Sequence, residues 1–159
     1  VVDQETCIGC GECIIRCPTD AMKLDWETGI PDFTERLTEY AYGAWKAFQK
    51  KDNGQTKNKI GFITFVMNVT PDCDCIEWSD VPIVEDVGIL ASKDPVALDK
   101  ACWDLVNQKQ GNPKSVLKGN HDPGEDKFKA IYDGMRGEIQ FNYGEELGIG
   151  TKDYELIEI

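Results

Sequence analysis

Apolar residues recur along this chain with two distinct periods. Phe33, Leu37, Tyr40, Ala41, Ala44, Trp45 and Phe48 repeat at helical spacing and form one broad apolar face. Asp32 is a suitable N-cap for that helix, Glu35 completes a capping-box pattern, and Lys50-Lys51 suits its negative C-terminal pole. Trp26 to Pro31 before it is expected to be a turn, and Asp52 to Lys59 after it a polar loop. Ile60 to Val69 is apolar at nearly every position, the pattern of a strand buried on both faces, as in parallel sheets.

Val81 to Val84 is expected to be extended around Pro82, and Val87 to Ala91 to form a second strand. Asp94-Pro95 then supplies a cap and a first-turn proline for a helix whose inner stripe is Leu98, Ala101, Cys102, Leu105 and Val106, ended by Gly111. Further on, Pro113 to Leu117 predicts a helical turn, Asp122-Pro123 a helix through Tyr132, Glu138 to Leu147 another, and Tyr154 to Ile159 a terminal strand. The order of strands and helices predicts an α/β fold, α+β overall.

The first thirty residues follow neither period. Cys7, Cys10, Cys13 and Cys17 are followed by Pro18, a C-x₂-C-x₂-C-x₃-C-P run that matches bacterial iron–sulfur binding sequences. Thiolates are soft ligands suited to iron–sulfur clusters, whereas structural zinc sites normally use two well-separated pairs. The spacing predicts a [4Fe–4S] cluster held by Cys7, Cys10, Cys13 and Cys17. Val1 to Asp3 is expected as a short strand, Cys13 to Cys17 as a helical turn stopped by Pro18, and Ala21 to Asp25 as a strand. Together these make a half-ferredoxin module over 1–30, followed by an α/β domain over 31–159. Ile8, Ile14 and Ile15 are expected to shield the cluster from water.

Cys17 leaves three alternatives open. In two-cluster ferredoxins the fourth cysteine of such a run serves the other cluster, which requires a second motif upstream in a longer parent. Alternatively Cys17 closes the same cluster, or Cys73 or Cys75 supplies a missing ligand. Val1 is not an initiator methionine, which suits a processed, trimmed or excised chain.

Cys73 and Cys75 also form a C-x-C pair in an acidic loop after the long strand, where α/β folds place ligands. They are candidates for a second metal or redox site, against the plainer reading of a solvated turn. Cys102 belongs to a core stripe, and His121 lies in a polar turn without an assigned role.

The chain has 29 acidic and 17 basic residues, a net charge of −12. That balance argues against nucleic acid and against an anionic membrane surface as partners. It is compatible with steering toward a basic protein surface. No apolar run approaches the ~20 residues of a membrane-spanning helix. Seven cysteines, an odd number, do not suggest a secreted disulfide framework; reduced thiolates point to a reducing, anaerobic-type cytoplasm. No hydrolytic, zinc-protease or phosphate-loop motif is present.

Longer strings carry a resemblance. Val66-Met67-Asn68-Val69-Thr70-Pro71-Asp72-Cys73-Asp74-Cys75, the stretch from Asp80 to Ala97, Glu145-Glu146-Leu147-Gly148-Ile149-Gly150 and Tyr154 to Ile159 resemble the uncharacterised iron–sulfur center proteins of a domain-of-unknown-function family, number three-six-two. The resemblance implies a larger α/β domain with a two-motif ferredoxin segment inserted. This chain is similar to the part from the second motif to the C-terminus. It supports the cofactor and implies no reaction. The leading expectation is therefore one-electron transfer to a redox partner protein, the upstream part of a parent chain being a further candidate partner. The alternatives are a redox enzyme with a second site at Cys73 and Cys75, and a purely structural cluster.

Overall fold

The computed structural model describes residues 2–3, 5–23, 26–52, 55–58, 60–73, 78–132 and 134–159, excepting the side chains of 26–28, 50–52 and 55–58. The architecture is mixed α and β, as the element order predicts. It comprises α1 (Glu12–Ile15), α2 (Trp26–Ala47), β1 (Gln49–Asp52), β2 (Gln55–Asn58), β3 (Phe62–Val66), β4 (Gly88–Ser92), α3 (Pro95–Gln108), α4 (Lys127–Ile131) and α5 (Gly137–Glu146).

The long helix starts earlier than its apolar stripe suggests. The expected turn from Trp26 to Pro31 is helical, and Asp32 lies inside α2 rather than at its cap. Pro31 is the sixth residue of the helix, past the first turn, so it removes one i→i−4 hydrogen bond that the other residues of α2 must offset. The Thr34 and Thr38 hydroxyls donate back to the carbonyls of Ile30 and Thr34, each at 2.8 Å. The expected polar loop at 52–59 lies mostly in an antiparallel β1–β2 pair, in register from Gln49↔Asn58 to Asp52↔Gln55. Residues 53, 54 and 59 of that expected loop lie outside the described residues.

The two-sided apolar strand is not part of a parallel sheet. β3 pairs antiparallel with β4, with Phe62↔Ser92 and Val66↔Gly88 at the two ends. One face, carrying Thr64, Val66 and Leu90, turns toward the core; Ile63, Phe65 and Ile89 on the other are exposed. Apolar composition fixed the strand, but among the described residues no element covers its second face.

The core lies on the inner side of that sheet. Val66, Ile83, Val84, Val106 and Leu117 form one buried cluster, and Val96, Phe141 and Ile149 a second between α2, α3 and α5. The capping expected at α3 is present: the Asp94 carboxylate accepts the Ala97 N–H at 3.0 Å, with Pro95 in the first turn. Its second oxygen accepts the Thr151 N–H at 2.9 Å, tying the C-terminal segment to α3. A Cβ on Gly150 would lie 1.8 Å from that carboxylate, so the close approach requires glycine.

α4 begins later than expected, capped by Asp126 instead of Asp122. Its first residue, Lys127, is 0% exposed. The Lys127 ammonium donates to the carbonyls of Asn107 (2.9 Å), Asp122 (2.6 Å) and Glu125 (3.2 Å). Burial lowers its pKa from the ordinary lysine value, with the nearby carboxylates of Glu125, Asp122 and Asp126 opposing. Where a terminal strand is expected, 154–159 has no regular secondary structure; its Tyr154 hydroxyl donates to Asp104 at 2.9 Å.

Candidate metal centre

The cysteine run sits on a loop shaped by backbone turns. Asp3 starts it: its carbonyl accepts the Cys7 N–H at 2.9 Å and its carboxylate the Glu5 N–H at 3.0 Å. Gly9 and Gly11 adopt φ of 69° and 72°, the left-handed region that glycine enters without strain. Gly11 then serves as N-cap of α1, its carbonyl accepting the N–H groups of Ile14 (3.0 Å) and Ile15 (3.3 Å). α1 carries Cys13 and no buried residue. The strand expected at Val1–Asp3 is absent at Val2 and Asp3, and 21–23 of the second expected strand are irregular. Val1, Leu24 and Asp25 lie outside the described residues.

Cys7, Cys10 and Cys13 are exposed and Cys17 is half-buried. The Cys17 sulfur accepts the Ala21 N–H at 3.2 Å and lies 3.6 Å from the Thr19 hydroxyl. The Thr19 hydroxyl, then the backbone N–H groups of Thr19, Ala21 and Met22, lower the Cys17 pKa from 9.0 to about 7. Hydrogen bonds donated to sulfur favour the thiolate that a metal needs. The donor set therefore fits an iron–sulfur group in number, softness and spacing: four thiols within eleven residues, one of them held near ionisation. Geometrically the run is open. Among the described residues, no three His, Cys, Asp or Glu side chains converge to hold a metal ion.

Two of the three isoleucines expected to shield a cluster are exposed. Ile8 is 88% and Ile15 81% exposed, with only Ile14 half-buried. They flank the cysteines on a loop and a one-turn helix, and among the described residues no buried cluster includes them.

The other sulfur groups are dispersed. Cys73 is exposed on the loop after β3, and Cys75 lies outside the described residues. Neighbouring Asp72 accepts a short hydrogen bond from the Tyr132 hydroxyl, which raises the Tyr132 pKa and ties this loop to the end of α4. That link joins residues 60 positions apart, which periodicity could not reveal. Cys102 is half-buried against the inner face of β3–β4, as its stripe predicts; burial, then the Asp99 charge, raise its pKa, opposed by a hydrogen bond with Thr64. His121 contributes backbone structure: its carbonyl accepts the Gly111 N–H at 2.7 Å and the Gln110 side-chain amide at 2.8 Å.

Among the described residues, no helix is long and apolar enough to cross a membrane.

The sequence pattern of the domain of unknown function DUF362 matches residues 7–104, 98 of the 159. The chain is also similar to a protein named "Ferredoxin" from Pyrobaculum islandicum, 33% identical over 82 residues, covering 45% of this chain and 73% of the relative. No solved structure matches at a significant level.

Proposed function

We propose, from the premise that this chain belongs to the DUF362 family, that it is an iron–sulfur protein moving single electrons through a [4Fe–4S] cluster. Cys7, Cys10 and Cys13 are assigned as its ligands, with Cys17 as the fourth. The observation that carries the reading is the four-cysteine run with its bacterial-ferredoxin spacing. The similarity to a ferredoxin over 82 residues supports it, as does the lowered pKa of Cys17. The cluster supplies the one-electron couple when bound. The chain's own residues do the rest. Gly9 and Gly11 turn the loop tightly, Asp3 fixes its start, and donors from Thr19 and Ala21 stabilise the Cys17 thiolate. Residues 1–30 act as the iron–sulfur module and 31–159 as the α/β domain, with α2 crossing from one into the other. The setting is a reducing cytoplasm and the partner a redox protein.

The test is iron and acid-labile sulfide per chain on anaerobically prepared protein, followed by electron paramagnetic resonance. About four irons per chain with a reversible signal on reduction is the expected result. About eight irons would assign Cys17 to a second cluster. A cluster that cannot be reduced would leave only a structural role, and absence of iron and sulfide would overturn the reading.

A further inference from the structure

The surface around the cysteine run is apolar beside the sulfurs and acidic at its border. Ile8 and Ile15 stand out from the loop and α1, next to the exposed Cys7, Cys10 and Cys13. Among the described residues, Arg16 and Lys23 are each paired locally, with Glu12 and Asp20. Asp3 and Glu5 then leave the stretch net negative, on a chain that carries −12 overall.

We propose that this edge is the docking surface for a redox protein whose own contact face is apolar at its centre and ringed by lysine and arginine. The inference rests on the iron–sulfur reading above. An electron passes only where donor and acceptor come close, and the cysteines lie on this edge. Exposed isoleucines give such an encounter apolar contact, while the carboxylates orient it and raise its rate. A second copy of the chain is the wrong partner, because it brings the same acidic border. A membrane of anionic lipids and a nucleic acid fail for the same reason.

The experiment uses the full cluster-loaded chain, reduced with dithionite and mixed with one-electron acceptors of opposite charge. Hexaamminecobalt(III) takes one electron to give cobalt(II), and ferricyanide one to give ferrocyanide. As ionic strength rises from about 0.02 to about 0.5 M, oxidation by the cation slows about tenfold and oxidation by the anion accelerates. Asp3→Asn with Glu5→Gln lowers the low-salt rate with the cation several-fold. Glu155→Gln with Glu158→Gln removes the same charge from the exposed C-terminal segment and changes that rate much less. Equal effects of the two pairs would mean that total charge alone matters and would overturn the docking edge.

Cytochrome c, a basic protein, is the second probe, its haem iron(III) taking one electron to become iron(II). Ile15→Ser and Ile8→Ser slow transfer to cytochrome c several-fold and leave the rate with hexaamminecobalt(III) unchanged. Parallel loss with both probes, or none with either, would overturn the apolar contact. Iron and sulfide are measured on every variant. If the chain never assembles a cluster, the functional reading itself fails; if it assembles one and the rates show no local charge effect, only the docking edge fails. Should neither isoleucine variant retain its cluster, the paired-charge comparison alone decides.

Discussion

The cysteine loop at residues 5–23 and the sheet-and-helix body at 60–151 are held by different forces. In the body, β3 and β4 lay one apolar face on α3, Phe141 and Val96 pack between helices, and Lys127 binds three carbonyls without contact with water. In the loop no residue is buried, α1 spans one turn, and its largest apolar side chains face solvent. Loop order comes from local backbone bonds such as Cys7 to Asp3 and Ile15 to Gly11. Segments without apolar burial open easily, unless a ligand supplies the missing free energy. The body is thus a scaffold that folds by its own burial. On the iron–sulfur reading proposed above, the stability of the loop is linked to the cluster its thiols would hold.

The largest test of this contrast is removal of the metal. Chelation, or Cys10→Ser, is expected to abolish bound iron. Residues 5–23 should then become rapidly cleaved by protease and exchange their amides freely. The thermal transition of the body should stay within a few degrees of the loaded protein. A chelator that unfolds both regions together would break the comparison and make the cluster part of the core.

The second test runs the other way, from the body. Lys127→Met removes the ammonium from three carbonyls, of which those of Asn107 and Asp122 keep the N–H groups of Gly124 and Glu125 as donors; a group left unsatisfied costs about 1–3 kcal/mol. A loss of about 1–3 kcal/mol in the urea unfolding free energy is therefore expected. The iron content of the protein that remains folded should be unchanged. A loss below about 1 kcal/mol would mean that water replaces the ammonium and that this corner is not part of the rigid scaffold.

Lys127 also shows where sequence reading ends. A lysine inside a short amphipathic helix reads as solvent-facing, and only the folded path of 107–125 turns three carbonyls toward it. What was legible depends on local rules. Asp94-Pro95 marked the start of α3, the Leu98-to-Val106 stripe marked its buried face, and the cysteine spacing marked the loop. Each of these is set by neighbours a few residues apart. The antiparallel pairing of β3, the bare outer face of Ile63 and Phe65, and the hydrogen bond from Tyr132 to Asp72 depend on partners 20 or more positions away, beyond any period in the chain. Tyr154 to Ile159 has strand-like composition, but a strand needs an edge to pair with, and among the described residues none pairs with it. The exposure of Ile8 and Ile15 likewise depends on what packs over them, which no local period encodes.

The smallest expected effect concerns the link between α2 and α5, which belongs to neither extreme. The Tyr143 hydroxyl donates to the Glu39 carboxylate at 3.0 Å, and Arg36 pairs with the same carboxylate at 3.0 Å. The Tyr143 hydroxyl, then Arg36, hold Glu39 below its ordinary 4.5. Its stabilising contribution is therefore complete above that value and is lost as pH falls through the lower folded value. Glu39, and then burial, raise Tyr143 above its ordinary 10.0, so its contribution is present below that value and lost as pH climbs through the raised one. Unfolding midpoints measured against pH should show a slightly greater stability of the native chain over Tyr143→Phe across the neutral range, narrowing on both the acid and the alkaline flank. Because both groups are solvent-screened, the difference should be small and should shrink in high salt. A pH-independent difference would show that the Tyr143 hydroxyl stabilises without help from the charge of Glu39. A difference that survives high salt would move this helix pair into the buried scaffold, widening the contrast with the cysteine loop.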